Sequence, residues 1–97
     1  MKSLIFHPEA LAELQEQAIY YDERSTGLGE KFTAQVEAAL TLAMSMPGIG
    51  SPYRHGTRRV FPKDFPHSLV YRETQDALQL IAVAPFRRKP GYWRKRK

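Results

Sequence analysis

At 97 residues the chain is long enough for one domain, spanning 1–97, and too short for two. It has no cysteine, which excludes disulfides and cysteine-ligated metals, and no apolar run approaches the roughly 20 residues of a membrane span. The net charge of +5 is segregated, with three cations against seven acids in residues 1–46 and twelve cations against three acids in residues 47–97. A one-sided basic half suits an anionic partner, either nucleic acid or an acidic protein segment; the plain alternative is a surface that serves solubility.

Ser3 to Phe6 reads as a short first strand ended by His7-Pro8, and the opening "MKSLIFHPEA" lacks the form of a signal peptide. Pro8 fits the first position of a helix, and Leu11, Leu14, Ala18 and Tyr21 then recur at intervals of three and four. That helix is expected to end near "STGLG" at 25–29. A second helix follows from about Glu30 to Met46, burying Phe32, Val36, Ala39 or Leu40, and Ala43, until "PGIGSP" stops it.

Beyond that loop the period changes to two. Residues 57–61, 67–73 and 77–84 read as three strands joined by turns short enough for antiparallel hairpins. The last of these is apolar on both faces from Leu80 to Val83, as suits a strand with a neighbour on each side. The order strand, helix, helix, three strands, basic tail predicts an α+β fold, β-α-α-β-β-β, in which a helical hairpin covers a small antiparallel sheet.

The histidines His7, His55 and His67 lack metal-ligand spacing, and His7 reads as a helix-entry residue. No nucleophile elbow or phosphate-cradling glycine motif is present, so no cofactor or metal is expected. The carboxylates of the two helices fall at intervals that suit a solvated face. Two basic groupings remain. Arg58 and Arg59 on one strand, with Arg72 on the next, are placed to gather over one sheet face. The tail "RRKPGYWRKRK" sets Tyr92 and Trp93 among the cations Arg87, Arg88 and Arg94. Rings of that size are expected to dock on the domain and pin the surrounding cations, leaving Arg94 to Lys97 dispensable to the fold.

The segments "FHPEALAEL", "YYDERSTGLGEKF", "MPGIG", "RRVFPKDFPHSLVYRE" and "IAVAPFRRKPGYWRKR" occur here in the order and spacing of the RelE/ParE superfamily of toxins from type II toxin–antitoxin systems. "FPHSLVYR" and "RRKPGYWRKR" resemble the ParE-like, plasmid-stabilisation branch more closely than the RelE ribonucleases. The resemblance covers nearly the whole chain. It implies a cytoplasmic bacterial toxin neutralised by a cognate antitoxin, one segment of which fills an apolar groove between sheet and hairpin. It implies also that operator DNA is reached only through the antitoxin.

Two targets follow from the two branches. A ParE-like toxin inhibits DNA gyrase by binding, and the surface assigned to that task is Arg58, Arg59, Arg72, Arg87, Arg88, Tyr92, Trp93 and Arg94. A RelE-like toxin cuts mRNA on the ribosome, a reaction that needs an acid, a base and cations for the phosphorane charge. Carried over to this chain, those roles fall to Arg59, to Arg87 (or Arg88) and to Tyr92. Phe61 and Ser68 stand where that branch has further cations, which speaks for gyrase over message cleavage, with a stand-alone nucleic-acid-binding module as the weaker third reading.

Overall fold

The computed structural model of the protein describes residues 2–96. Strand β1 (Ser3–Phe6) leads into α1 (Pro8–Arg24), and α2 (Leu28–Ser45) returns antiparallel to it. Strands β2 (Ser51–Pro52), β3 (Arg58–Val60), β4 (His67–Glu73) and β5 (Ala77–Pro85) complete one sheet in the order β1-β5-β4-β3-β2.

The local signals act as their chemistry dictates. His7 caps α1, its Nδ1 accepting from the Glu9 amide at 3.1 Å, and Pro8 follows at the first helical position. Between the helices Gly27 takes φ +86°. Asp22 Oδ1 there accepts from the amides of Gly27 at 3.1 Å and Gly29 at 2.9 Å, which fixes the corner. Gly29 also lets the helices cross closely, since a Cβ on it would lie 2.3 Å from the Ala18 carbonyl oxygen. Helix α2 therefore starts two residues before the expected Glu30, because the Asp22 contact supplies the N-terminal amide partner that no side chain of the turn provides.

The hairpin packs on one face of the sheet, where Ala10, Leu14, Phe32, Val36, Leu40, Leu69, Leu80 and Val83 form the main core. Phe32, Val36, Leu40 and Ala43 are buried as expected, but Leu11 is 39% exposed and Ala10 takes its place under the sheet. The inward stripe of α1 runs through Ala10, Leu14 and Tyr21, one residue out of phase with Leu11. Tyr71, fully buried, donates to the Pro47 carbonyl and accepts from the Gly50 amide, so the loop that stops α2 is bolted to β4.

In two respects the sheet departs from the expected antiparallel meander. The first strand pairs with β5 in parallel, Ser3 opposite Ala77 through Phe6 opposite Leu80. The two-residue β2 adds a fifth strand beside β3. Strands β3, β4 and β5 are antiparallel, as their short turns require. β5 carries a bulge: Val70 faces Ala82 while Tyr71 faces Leu80, leaving Ile81 without an opposite partner.

The bulge gives the back of the sheet a second core. Val70, Ile81, Ala82 and Ala84 cluster there with Trp93, which is 1% exposed, and Tyr53 and Tyr92 pack at the margin. The molecule therefore has three layers: helical hairpin, sheet, and C-terminal tail.

His67, 1% exposed, sits between hairpin and sheet against the rings of Tyr21 and Phe32, with Nε2 3.2 Å from Gln17 Oε1. Burial, and secondarily the Arg87 charge, pushes its pKa down to about 4. A folded pKa below the unfolded value of about 6.5 means that the neutral ring stabilises the fold fully above that pH. That contribution is lost as pH falls through the window toward 4, by on the order of 3 kcal/mol. Urea unfolding at pH 7 and pH 4 should therefore show a smaller loss for His67→Phe than for the parent; equal losses would remove His67 as the cause.

Candidate functional site

The tail is a built part of the molecule. Parallel pairing with β1 covers the outer edge of β5 only as far as Leu80, which accepts from the His7 amide at 2.9 Å. Two side chains continue the edge: the Val83 amide donates to Glu13 Oε1 at 3.0 Å, and the Ile81 carbonyl accepts from Arg96 Nη1 at 3.0 Å. Arg96 and Glu13 form a forked pair with contacts of 2.8 and 3.0 Å, and the Tyr92 hydroxyl donates to Glu13 Oε2 at 2.6 Å. Glu9 adds a longer contact to Arg96 at 3.5 Å. The Arg96 and Glu13 side chains are only 11% and 15% exposed, so this is a largely desolvated, charge-assisted network. Its effect on Tyr92 is plain: burial, then the hydrogen bond to the Glu13 carboxylate, raises the phenol pKa far above its ordinary value.

Of the residues expected on the basic surface, several are committed elsewhere. Trp93 lies in the second core and serves as an anchor, which corrects its assignment to target contact. Arg58 and Arg59 do not share a face, because adjacent strand residues point oppositely. Arg58 lies opposite Tyr71 and donates to the Gly50 carbonyl at 2.7 Å, holding the loop after α2. Arg59 lies opposite Val70, on the tail side, with its guanidinium 4.2 Å from the Tyr53 ring centre and Nη1 3.3 Å from Ser68 Oγ. Arg72, opposite Gln79, stands two residues farther along β4 than Val70.

The turn after β5 separates its two arginines. Arg88 lies over the Tyr92 ring at 3.9 Å, whereas Arg87 lines a groove on the hairpin side with Gln17, Tyr20, Tyr21 and His67. Arg59, Arg88 and Tyr92 thus border one cavity on the tail side, and Arg87 is not part of it. Arg94 and Lys95 are exposed. The set carried over for message cleavage therefore does not converge with Arg87 as its second cation but does with Arg88, and in either form its phenol is held by a carboxylate.

Two exposed rings escaped the sequence reading. Phe61 and Phe86 are 45% and 57% exposed and meet edge to face at 5.9 Å, with the Arg59 guanidinium 5.2 Å from Phe61. In the sequence Phe61 stands out as the absence of a cation, and its position at the end of a strand in a basic half is the signal that points to it. An apolar groove also runs between α2 and the β2–β3 edge, a space of about 250 Å³ lined by Ala39, Leu42, Ile49, Val60 and Phe61.

The chain matches the family described as "ParE toxin of type II toxin-antitoxin system, parDE" over residues 4–90. The chain belongs to the ParE toxin family. A solved structure, the chromosomal ParDE toxin–antitoxin system from P. aeruginosa, has the same fold: TM-score 0.78 at 18% identity, covering 88% of this chain and 96% of that one. No curated protein matches significantly. The protein is thus the toxin component of a type II toxin–antitoxin system. Among the described residues of this ParE toxin, no helix is long and apolar enough to cross a membrane.

The network around Glu13 overturns the expectation that the residues after Trp93 can be spared. Ending the ParE chain at Trp93, or replacing Arg96 with Ala, leaves Glu13 buried without its ion partner. Each should cost about 3 kcal/mol, the range for breaking one side of a buried pair. Chemical denaturation measures it, and a midpoint matching the parent would return the tail to the status of a loose end.

Proposed function

We propose that this ParE toxin acts by binding, as an inhibitor of DNA gyrase, and that it works in the cytoplasm under the restraint of a cognate antitoxin. The observation that carries the reading is the Glu13–Tyr92–Arg96 lock. A general acid must release its proton readily near neutral pH, and the Tyr92 phenol, buried and bonded to a carboxylate, is held far from that condition. Family membership supports the same side of the choice. Message cleavage, the alternative, would draw on Arg88 and not Arg87 beside Arg59 and Tyr92, so the argument against it rests on the held phenol.

The binding surface on this reading comprises the half-buried Arg59 and Arg72, the exposed Arg87, Arg88 and Arg94, and the exposed rings Phe61 and Phe86. Rigid aromatic and arginine side chains contribute most of the energy at protein interfaces, so Phe61 and Phe86 are the expected anchors. The antitoxin segment fills the groove beside α2, covering Leu42, Ile49 and Phe61, while its acids meet the nearby cations. Operator DNA is contacted by the antitoxin, not by this chain.

Two assays with purified protein test this. Gyrase supercoiling should be inhibited, and translated messages should stay intact. Phe86→Ala should weaken inhibition by about thirtyfold, as for an interface anchor worth about 2 kcal/mol, while Arg87→Ala causes a partial loss. Cleavage of message by the parent, abolished in a folded Arg59→Ala variant, would install the ribonuclease instead. Leu42→Asp should weaken capture by the co-expressed antitoxin at least tenfold without unfolding the toxin, since it places a charge in an apolar contact that excludes water.

A further inference from the structure

The cavity on the tail side of the sheet shares Arg59, Phe86 and Arg88 with the surface proposed for gyrase, but its chemistry points to a small ligand of its own. It is small, about 80 Å³, and is walled by Arg59, Ser68, Ala84, Phe86, Arg88 and Lys89 over the Trp93 ring. Three of those residues are cationic, and none of the residues around it is acidic. The Nε atom of Arg59 is buried with no hydrogen-bond acceptor from the described residues. Neither Arg59 nor Arg88 forms an ion pair among the described residues, in contrast to Arg96.

A guanidinium with a buried, unanswered N–H is costly, because desolvation is incurred without a compensating bond. Here the geometry that incurs the cost also presents the donors. Arg59 lies 4.2 Å over Tyr53 and Arg88 lies 3.9 Å over Tyr92, so an aromatic ring lies against each guanidinium. What remains free on a guanidinium stacked in this way is its edge of N–H groups, the part that matches an oxyanion. Ser68 Oγ accepts from Arg59, which leaves its own proton to donate.

We propose that this cavity is a binding site for a single phosphoryl group, held by Arg59, Ser68 and Arg88 with Lys89 at the rim. The space is small and opens to solvent, and it is large enough for one tetrahedral oxyanion. Two guanidiniums and a hydroxyl suit a tetrahedral phosphoryl group, with its several acceptor oxygens, better than a carboxylate, whose two oxygens one arginine satisfies. The group can be inorganic phosphate, a terminal phosphate or a backbone phosphodiester. The site shares Arg59 and Arg88 with the surface proposed for gyrase, but phosphate binding is measured without gyrase and stands or falls on its own.

Calorimetric titration of the purified toxin with inorganic phosphate, at constant ionic strength in chloride, tests the site. One-to-one saturable binding is expected. Arg59→Gln and Arg88→Gln should each weaken it at least tenfold, and the distant Arg24→Gln should leave it unchanged. Arg88 is exposed, so its variant tests the site even if Arg59→Gln disturbs the sheet. Displacement of phosphate by a short single-stranded oligonucleotide with unphosphorylated ends assigns the site to backbone phosphodiester. Displacement only by the 5′-phosphorylated form assigns it to terminal phosphate, and displacement by neither assigns it to free phosphate. Absence of saturable binding, or equal weakening in Arg24→Gln, overturns the proposal. Because no gyrase enters the titration, a toxin inactive on gyrase can still pass it, and a gyrase inhibitor can fail it.

Discussion

β5 is the strand on which the molecule is assembled, and its outer edge is where the assembly is most exposed to failure. β1 pairs with Ala77 to Leu80 and then turns away into α1, which leaves the backbone of Ile81 and Val83 facing outward. An apolar strand with an open edge would template another strand. Glu13 and Arg96 close it by bonding the Val83 amide and the Ile81 carbonyl, and they neutralise each other in doing so. One residue comes from the first helix and the other from the tail, so this single ion pair ties all three layers at the edge of the central strand. Neither charge would be tolerable there alone.

The bulge at Ile81 has a related consequence. It turns Ile81 toward the same cluster as Ala82, widening the apolar platform on the back of the sheet. A strand with strict alternation would offer that face only every second side chain. The extra contact surface is what Trp93 covers, and covering it brings Tyr92 and Arg96 to Glu13. The tail therefore owes its position to a register shift in the sheet beneath it, and the apolar and ionic anchors support each other.

This explains which parts of the structure could be read from the sequence. The helices, strands β3 to β5 and the docking of Trp93 depend on local period, turn residues and ring size, all visible in a short window. The direction of β1 is not visible there, because alternation says which face is buried and nothing about the neighbour. β2 is two residues long and includes Pro52, below any periodic signal. Glu13 reads as one more acid on a charged helix, and Arg96 as one more cation in a basic run. Their partnership spans 83 positions and becomes apparent only once β5 brings an unpaired edge between them. The basic surface was legible as composition but not as geometry: pattern alone could not say that Arg58 and Arg96 hold structure together while Arg59 and Arg88 lie over rings and form no ion pair among the described residues.

The fastening of the tail changes how its charge can act. A flexible basic arm would lose on the order of 1 kcal/mol or more of backbone entropy per residue ordered on a target, eroding affinity at every step. In this toxin that ordering is already complete by Arg96, because Trp93 is in the core and Arg96 is in the Glu13 fork. Arg88, Arg94 and Lys95 are consequently presented from a fixed frame, and the exposed pair Phe61 and Phe86 is likewise held in place. Preorganisation of this kind favours shape-selective recognition over salt-steep, indiscriminate attachment to polyanions. A chain with a net charge of +5 is thereby disposed to distinguish partners by the arrangement of its cations, not merely by their number.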